Sequence, residues 1–152
     1  MSHDIEIERF NFFVLPNNTS GSVSQPIALS PGFTVLATLG LHCRDFDHGV
    51  ILTATVGWLA VTDGTDLDRV NVLFKIWRGA PGHGNLIFSA DDSGESGFDS
   101  RKVTSFTHVD ARFDHRSEKS RSYTLTAELP DPGSAATVIG PITFVATELE
   151  ED

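Results

Sequence analysis

The sequence predicts an all-β fold, a jelly-roll β-sandwich of about eight strands. Apolar and polar residues alternate with a period of two in segment after segment, which is typical of strands with one buried face. Clusters of glycine, proline, aspartate and asparagine separate these segments at regular intervals. No segment has the i, i+3, i+4, i+7 spacing of apolar residues that an amphipathic helix requires. Regularly spaced strands joined by turns favour a sandwich or a barrel.

Residues 1–16 are predicted to form a strand-like arm, and residues 17–25 a flexible linker. The arm alternates isoleucine with glutamate and then becomes rich in phenylalanine. The linker, NNTSGSVSQ, is small, polar and without periodicity. An apolar strand on a flexible linker aggregates in water unless something covers it, so we expect the arm to be an assembly element. The residues predicted to make its contacts are Ile5, Ile7, Phe10, Phe12, Phe13, Val14 and Leu15.

Residues 49–63, GVILTATVGWLAVTD, are predicted to form the long central strand of the body. Every second residue from Val50 to Ala60 is apolar, which predicts a face buried in the core. At ~3.3 Å per residue this strand would span about 50 Å, so we expect it to bend, and Gly57 is the predicted place. The opposite face mixes threonines with Leu59 and Val61, which makes these two residues candidates for an interface.

Further alternating segments fill the body, which is predicted at residues 26–148, and an acidic tail follows at residues 149–152. In the first of these segments, Phe33 and Val35 are predicted to share the core face. In the last, Gly140 is followed by proline, which predicts a β-bulge or an edge position because proline has no amide hydrogen to donate.

We count seven strand-like segments after the linker and an eighth in the arm. Eight strands favour a jelly roll, whereas seven alone would permit an immunoglobulin-like sandwich. The two alternatives differ in whether the arm belongs to the same domain as the body. In either sandwich Trp77 shares a strand face with Lys75, and Trp77 is therefore a third candidate for an interface.

Composition bears on which partners the chain can bind. The 152 residues include 11 basic and 21 acidic side chains, a formal net charge of −10. This balance argues against a nucleic acid or an anionic membrane as a partner. No apolar run approaches the ~20 residues of a membrane span. The N-terminal sequence lacks the basic and apolar regions of a signal peptide, so we expect synthesis as a soluble cytoplasmic chain.

The sequence predicts no enzyme, no metal site and no cofactor. It contains no nucleophile elbow, P-loop or dinucleotide fingerprint. Cys43, within LHCRDFDH at residues 41–48, continues an apolar strand face and is predicted to be a buried thiol. It is the single cysteine, so only an interchain disulfide remains open. Several side chains are of types that can bind a metal, but we predict that they are solvated or structural. These residues are Cys43, Asp45, His48, Asp63, Asp66, Asp68, Asp91, Asp92 and Glu95.

Three segments carry a family resemblance: VLFKIWRG at residues 72–79, SYTLTAEL at 122–129 and VIGPITFVA at 138–146. In this succession the chain resembles small jelly-roll proteins of the Bacillus spore surface, the exosporium protein C family. The resemblance covers residues 26–147 and leaves the arm outside. It implies a structural component of the exosporium or of an endospore appendage, without catalytic residues. It also implies synthesis in the mother cell cytoplasm and release to the spore surface without a signal peptide.

The leading hypothesis is a self-assembling structural subunit of a spore-surface fibre or layer. The arm would add its strand to the sheet of a neighbouring subunit, without a covalent bond. A head-to-tail contact of this kind does not close, so it yields fibres or lattices. The expected partners are copies of the same chain and other spore-surface proteins.

Two alternatives remain open at this stage. One is a compact homotrimer, similar to the heads of tumour-necrosis-factor-type proteins, with the arm folded onto its own body and a sugar or receptor bound at the surface. The other is a viral capsid or tail protein, since jelly rolls serve there too and a fold does not fix a function.

Overall fold

The computed structural model describes residues 5–44, 48–61, 69–97, 100–111 and 120–151. In this part of the chain the residues that alternate in polarity form nine antiparallel strands. The strands are β1 (Ile5–Val14), β2 (Gln25–Pro26), β3 (Thr34–His42), β4 (Gly49–Val61), β5 (Arg69–Arg78), β6 (Asn85–Glu95), β7 (Arg101–Asp110), β8 (Ser120–Glu128) and β9 (Ala135–Glu151).

The strands form two antiparallel sheets that pack face to face. The first sheet has the order β1-β9-β4-β7, with the short β2 also paired to β9, and the second has the order β3-β8-β5-β6. When β2 is left aside, the long strands in chain order run 1-8-3-6 in one sheet and 2-7-4-5 in the other, as in a jelly roll. The all-β sandwich predicted from the sequence is confirmed, and β1 supplies the strand that distinguishes a jelly roll from a seven-stranded sandwich.

The core lies between the two sheets, and β4 contributes most directly to it. As predicted, every second residue of β4 from Val50 to Ala60 is buried, and β4 lies between β9 and β7. The facing row on β5, from Val70 to Ile76, is equally buried. Because each fully buried aliphatic or aromatic side chain contributes about 1.5–3 kcal/mol, these rows fix which face of each sheet points outward.

Gly57 allows β4 to pass a bulge in β9. The register between these strands shifts between Val56 and Trp58, where Gly57 lies opposite the three residues from Ile139 to Pro141. A Cβ on Gly57 would lie only 2.0 Å from the carbonyl oxygen of Gly140. Gly140 itself has a φ of 87°, which favours glycine. The predicted bulge and the predicted special role of Gly57 therefore belong to one feature.

The residues just before and at the start of β3 face the opposite way from the prediction. Phe33 and Val35 are exposed, whereas Leu36 is buried. The register between β3 and β8 shifts between Val35 and Ala37, and such a bulge moves every residue before it to the other face of the sheet. The apolar alternation of this segment predicts the core residues correctly only after the bulge.

The arm pairs with its own chain. Residues of β1 lie opposite β9 from Ile5↔Glu151 to Val14↔Thr143, and Phe13 and Leu15 pack against the core. The arm is thus the outer strand of the first sheet, which is the arrangement of the alternative in which it folds onto its own body.

The segment at residues 17–25 is held against β9, which differs from the flexible linker that its composition predicts. Asn18 accepts a hydrogen bond from the amide of Ile142 at 2.8 Å and donates one to the Thr143 hydroxyl at 2.9 Å. The amide of Gly21 donates to the carbonyl of Ile139 at 2.9 Å. The asparagine side chain continues the pairing of β9 beyond the end of β1, as asparagine does in turns.

Candidate assembly surface

The outward-facing side chains of the first sheet form one continuous surface, which we call the outer face. Thr147 of β9 lies opposite Phe10 on one side and Ile51 on the other. Ile51 in turn lies opposite Val109, so a single row crosses all four strands. The described members of the outer face are Ile7, Phe10, Phe12, Val14, Ile51, Thr53, Thr55, Leu59, Val61, Arg101, Val103, Ser105, Thr107, Val109, Ala135, Thr137, Thr143, Val145, Thr147 and Leu149.

Large apolar side chains stand exposed at both borders of the outer face. On β1, Phe10 is 64% exposed and Phe12 is 55% exposed, and their rings stack with centroids 6.3 Å apart. On β7, Val103 is 62% exposed, and Val109 is also exposed. Scattered exposed apolar residues are normal, but here they line two borders of one sheet, with threonines and the half-buried Ile51 and Val145 between them.

The centre of the outer face is uncharged. Its described side chains are aliphatic, aromatic or hydroxyl-bearing except for Arg101, which lies opposite Leu59 at one corner. In a chain with a net charge of −10, the described residues at the centre of this surface carry no charge, as is typical of interface centres.

The structure places most of the predicted arm residues on the outer face. Ile7, Phe10, Phe12 and Val14 point outward, whereas Phe13 and Leu15 point inward and pack on the core. The side chain of Ile5 lies outside the described part of the structure. The two predicted interface residues of β4, Leu59 and Val61, also lie on the outer face, near its Arg101 corner.

Trp77 lies elsewhere, on the outward face of the second sheet. It is half-buried, and its Nε1 donates a hydrogen bond to the Thr126 hydroxyl at 3.0 Å. The Nζ of Lys75 lies 5.6 Å from the Trp77 ring and 2.6 Å from a carboxylate oxygen of Glu128. The polar groups around Trp77 are thus used within the fold, and the structure does not bring Trp77 together with the arm.

The free edge of β1 is closed by the side chain of Asn11. The Oδ1 of Asn11 accepts a hydrogen bond from the amide of Phe12 at 2.9 Å, and its Nδ2 donates to the carbonyl of Gly40 in β3 at 2.7 Å. One side chain therefore occupies a donor on one edge strand and an acceptor on the edge strand of the other sheet. An edge occupied in this way is protected from pairing with another chain.

A buried polar cluster joins the sheets between β7, β5 and β8. The hydroxyl of Tyr123 donates to Asp110 at 2.6 Å, and Arg78 donates to the same carboxylate through Nε at 3.2 Å and through Nη2. Burial, and then the hydrogen bond and charge of Asp110, raise the pKa of Tyr123. Burial alone would lower the pKa of Arg78, but the bond to Asp110 and its charge raise it. All three groups hold each other in place.

A second buried cluster lies at Glu148 of β9. Its Oε1 accepts from the amide of Arg44 at 2.6 Å and lies 2.8 Å from Nδ1 of His48. The Nη1 of Arg121 in β8 donates to the carbonyl of His48 at 3.0 Å. Alternation of polarity does not predict this cluster. Glu148 nevertheless continues the inward row of Phe144 and Ala146, and a charged residue in an apolar row indicates a buried partner.

A third polar link joins β4, β7 and β6. The Nε1 of Trp58 donates to the Thr104 hydroxyl at 2.9 Å, and that hydroxyl donates to Asp92 at 2.6 Å. Asp92, one of the ligand candidates considered from the sequence, is thus engaged by a threonine. These links tie the two sheets together and leave the outer face free.

The remaining ligand candidates do not converge: Asp91 and Glu95 are exposed on β6. Cys43 is fully buried, as the sequence predicts. Asp45 and the acidic turn at residues 63–68 lie outside the described part of the structure. Among the described residues, no group of three or more His, Cys, Asp or Glu side chains is placed to hold a metal ion. The described residues include no helix long and apolar enough to cross a membrane.

No family model and no curated protein matches the sequence. Among solved structures, the chain is similar to dimeric latent PorU from Porphyromonas gingivalis, with a TM-score of 0.47 and 14% sequence identity. The match covers 97% of this chain and 13% of the PorU chain, so this chain spans about an eighth of the length of PorU.

Proposed function

We propose that this protein is a structural subunit that assembles non-covalently with copies of itself through the sheet that contains β1. The observation that carries the proposal is the outer face, a surface that spans four strands, with exposed apolar side chains at its borders and an uncharged centre. Burying such a surface is the main favourable term in protein association. In a chain with a net charge of −10, an apolar face of this extent disfavours an isolated monomer.

The spore surface is the proposed location. Support comes from the resemblance of residues 72–79, 122–129 and 138–146 to jelly-roll proteins of the exosporium. All three segments belong to the sandwich body, at β5, β8 and β9. The proposed role is that of a building block in a fibre or layer, with no reaction to catalyse.

The proposed subunit can assemble in two ways that differ in which chain supplies β1. In the open form, the arm leaves its own sheet and pairs with β9 of a neighbour, which links copies into a fibre. In the closed form, each arm stays on its own body, and intact sandwiches meet through their outer faces. The hydrogen bonds of Asn18 and Gly21 to β9 favour the closed form, since exchange of the arm would have to break or span them.

Self-assembly is tested by sedimentation velocity of the full-length protein over a range of concentrations, together with negative-stain electron microscopy. We expect homo-oligomers at micromolar concentration, and the micrographs separate discrete particles from fibres. A protein that stays monomeric throughout the concentration range would overturn the proposed function.

A disulfide between β1 and β9 tests which chain supplies the arm. Phe12 lies opposite Val145, and its amide points away from β9 toward Asn11, which marks a close pair without mutual hydrogen bonds. Such a pair suits a disulfide. Phe12→Cys with Val145→Cys, in a Cys43→Ser background, should give a monomeric band on a non-reducing gel if the arm stays on its own body. A ladder of linked chains would show arm exchange. Each single-cysteine variant serves as the control.

A further inference from the structure

We infer that the outer face packs against the outer face of a second copy of this chain. This inference rests on the proposed function, because it names the surface and the occupant through which self-assembly proceeds. It does not depend on the arm leaving its own sheet, since all the residues involved are in place on one chain.

The shape of the surface suits another sheet. The outer face is formed by four adjacent strands, and sheets pack on sheets at about 10 Å with their side chains interdigitated. Threonines at the centre, such as Thr53, alternate with larger residues such as Ile51 and Val145. The stacked rings of Phe10 and Phe12 form a rigid border. A preformed, rigid surface loses little conformational entropy when it is buried.

The charge of the outer face indicates which kind of surface can pack against it. The uncharged centre of the face offers no partner to a charge that is buried against it, and an unpaired buried charge is strongly unfavourable. The occupant must therefore be flat, apolar and uncharged. The outward face of the second sheet does not qualify, because it carries Lys75, Glu128 and Asp91. Among the described surfaces of this chain, the outer face itself meets these requirements, and a surface that binds its own copy forms a two-fold contact.

The area of the outer face is sufficient for a stable contact. Four strands about 4.8 Å apart, each contributing roughly nine residues at ~3.3 Å, give a projected area on the order of 600 Å². Two copies would then bury on the order of 1,200 Å² in total, at the lower bound for specific interfaces. Protruding side chains such as Phe10 add to this projected value.

Charged substitutions at Thr53 test the contact. Thr53 lies in the row that runs from Phe12 to Thr107, near the centre of the outer face, so a two-fold axis through this face brings it close to its copy. We expect Thr53→Lys and Thr53→Glu each to weaken self-association by roughly 100-fold or more, because like charges then meet in a desolvated interface. An equimolar mixture of the two variants should associate more tightly than either variant alone. Sedimentation velocity measures all three samples.

Thr38→Lys is the matched control. Thr38 is an exposed threonine in the second sheet, so its substitution adds the same charge without touching the outer face. Phe10→Lys, at an exposed position on β1, is a second variant in case Thr53→Lys folds poorly, and circular dichroism checks the fold of each protein.

The outcomes separate the inference from the proposed function. If the wild type assembles, Thr53→Lys is monomeric, Thr38→Lys behaves like the wild type and mixing restores assembly, the inference holds. If the wild type assembles and Thr53→Lys assembles equally well, the contact lies elsewhere and the inference is overturned while the proposed function stands. If the wild type is monomeric at every concentration, the proposed function fails, and the inference fails with it.

Discussion

Gly57 and its neighbour Gly140 leave no room for a methyl group at the centre of the first sheet. A Cβ on Gly57 would lie 2.0 Å from the Gly140 carbonyl oxygen and 2.9 Å from Cδ of Pro141. We predict that Gly57→Ala lowers the free energy of unfolding by about 3 kcal/mol, since backbone atoms on both sides would have to move. Urea denaturation measures the change.

Gly49→Ala is the control for Gly57→Ala because Gly49 begins the same strand and no heavy atom lies within 4 Å of its added Cβ. The free energy of unfolding of Gly49→Ala should stay within about 0.5 kcal/mol of the wild-type value. Equal losses at the two glycines would mean that the close approach at the bulge does not matter.

Tyr123 makes stability fall at alkaline pH. Burial and the Asp110 carboxylate raise the pKa of Tyr123 in the folded state above its ordinary value of 10.0. Below that value the tyrosine is neutral in the folded and unfolded states alike, and its contribution to stability is fully present. Above it, the unfolded chain loses the proton first, so the free energy of unfolding should fall by up to about 1.4 kcal/mol per pH unit.

The tyrosine can be followed directly, since the chain contains one tyrosine. Its absorbance as tyrosinate should rise only as the protein unfolds, rather than near pH 10. Tyr123→Phe removes the ionisation, and its free energy of unfolding should therefore depend less on pH above 10 than that of the wild type. Tyrosinate absorbance that rises near pH 10 while the fold persists would contradict the raised pKa.

At the scale of the strand, the edge of β1 is protected by one side chain. Asn11 occupies the Phe12 amide and the Gly40 carbonyl, and its removal leaves both groups open on neighbouring edges. We predict that Asn11→Ala lowers the free energy of unfolding by about 1 kcal/mol and increases the formation of large aggregates, because open edges pair with other chains. Light scattering over time measures the aggregation.

Asn71→Ala serves as the comparison for Asn11→Ala. Asn71 also donates a side-chain hydrogen bond, to Asp131 at 2.8 Å, but it lies on β5, an inner strand of the second sheet, and is paired with Ser93 of β6. Asn71→Ala should lower the free energy of unfolding by an amount comparable to Asn11→Ala, without increasing aggregation. Equal aggregation of the two variants would point to destabilisation in general and away from the edge.

The alternation of apolar residues predicts the strands well because each strand buries one face. It predicts the inward row of β4 in full and the body strands in order. It misjudges Phe33 and Val35, since a bulge reverses the faces of a strand and leaves no mark in composition. Alternation also does not predict that the arm pairs with its own body, because the pairing of β1 with β9 joins residues more than a hundred positions apart in the sequence.

The outer face could be predicted only in part. Its arm residues and Leu59 and Val61 stand out as apolar residues in polar or threonine-rich rows. Val103 and Val109 do not stand out, because β7 carries apolar residues on both faces. The structure shows that Phe106, on the opposite face, is the residue that packs against the core. The cluster of Asp110, Tyr123 and Arg78 comes from three strands, and its convergence depends on the strand order, which a single sequence does not reveal.

For the whole molecule, net charge and the outer face act in opposite directions. A formal charge of −10 on each molecule makes two copies repel each other, whereas burial of the outer face favours their association. The repulsion acts at long range and is screened by salt, with a Debye length of about 30 Å at 0.01 M and about 8 Å at 0.15 M. The apolar attraction is not screened. We therefore predict that self-association becomes tighter as sodium chloride is raised from low to physiological concentration.

Sedimentation velocity at the two salt concentrations measures this dependence. Thr38→Lys, which lowers the net negative charge without changing the outer face, should show a weaker dependence on salt than the wild type. Assembly held together by ion pairs would respond in the opposite direction and dissociate as salt is added, because screening weakens exposed ion pairs. A loss of association with salt would therefore exclude the outer face as the dominant contact, whereas a gain is what an apolar contact between two acidic molecules requires.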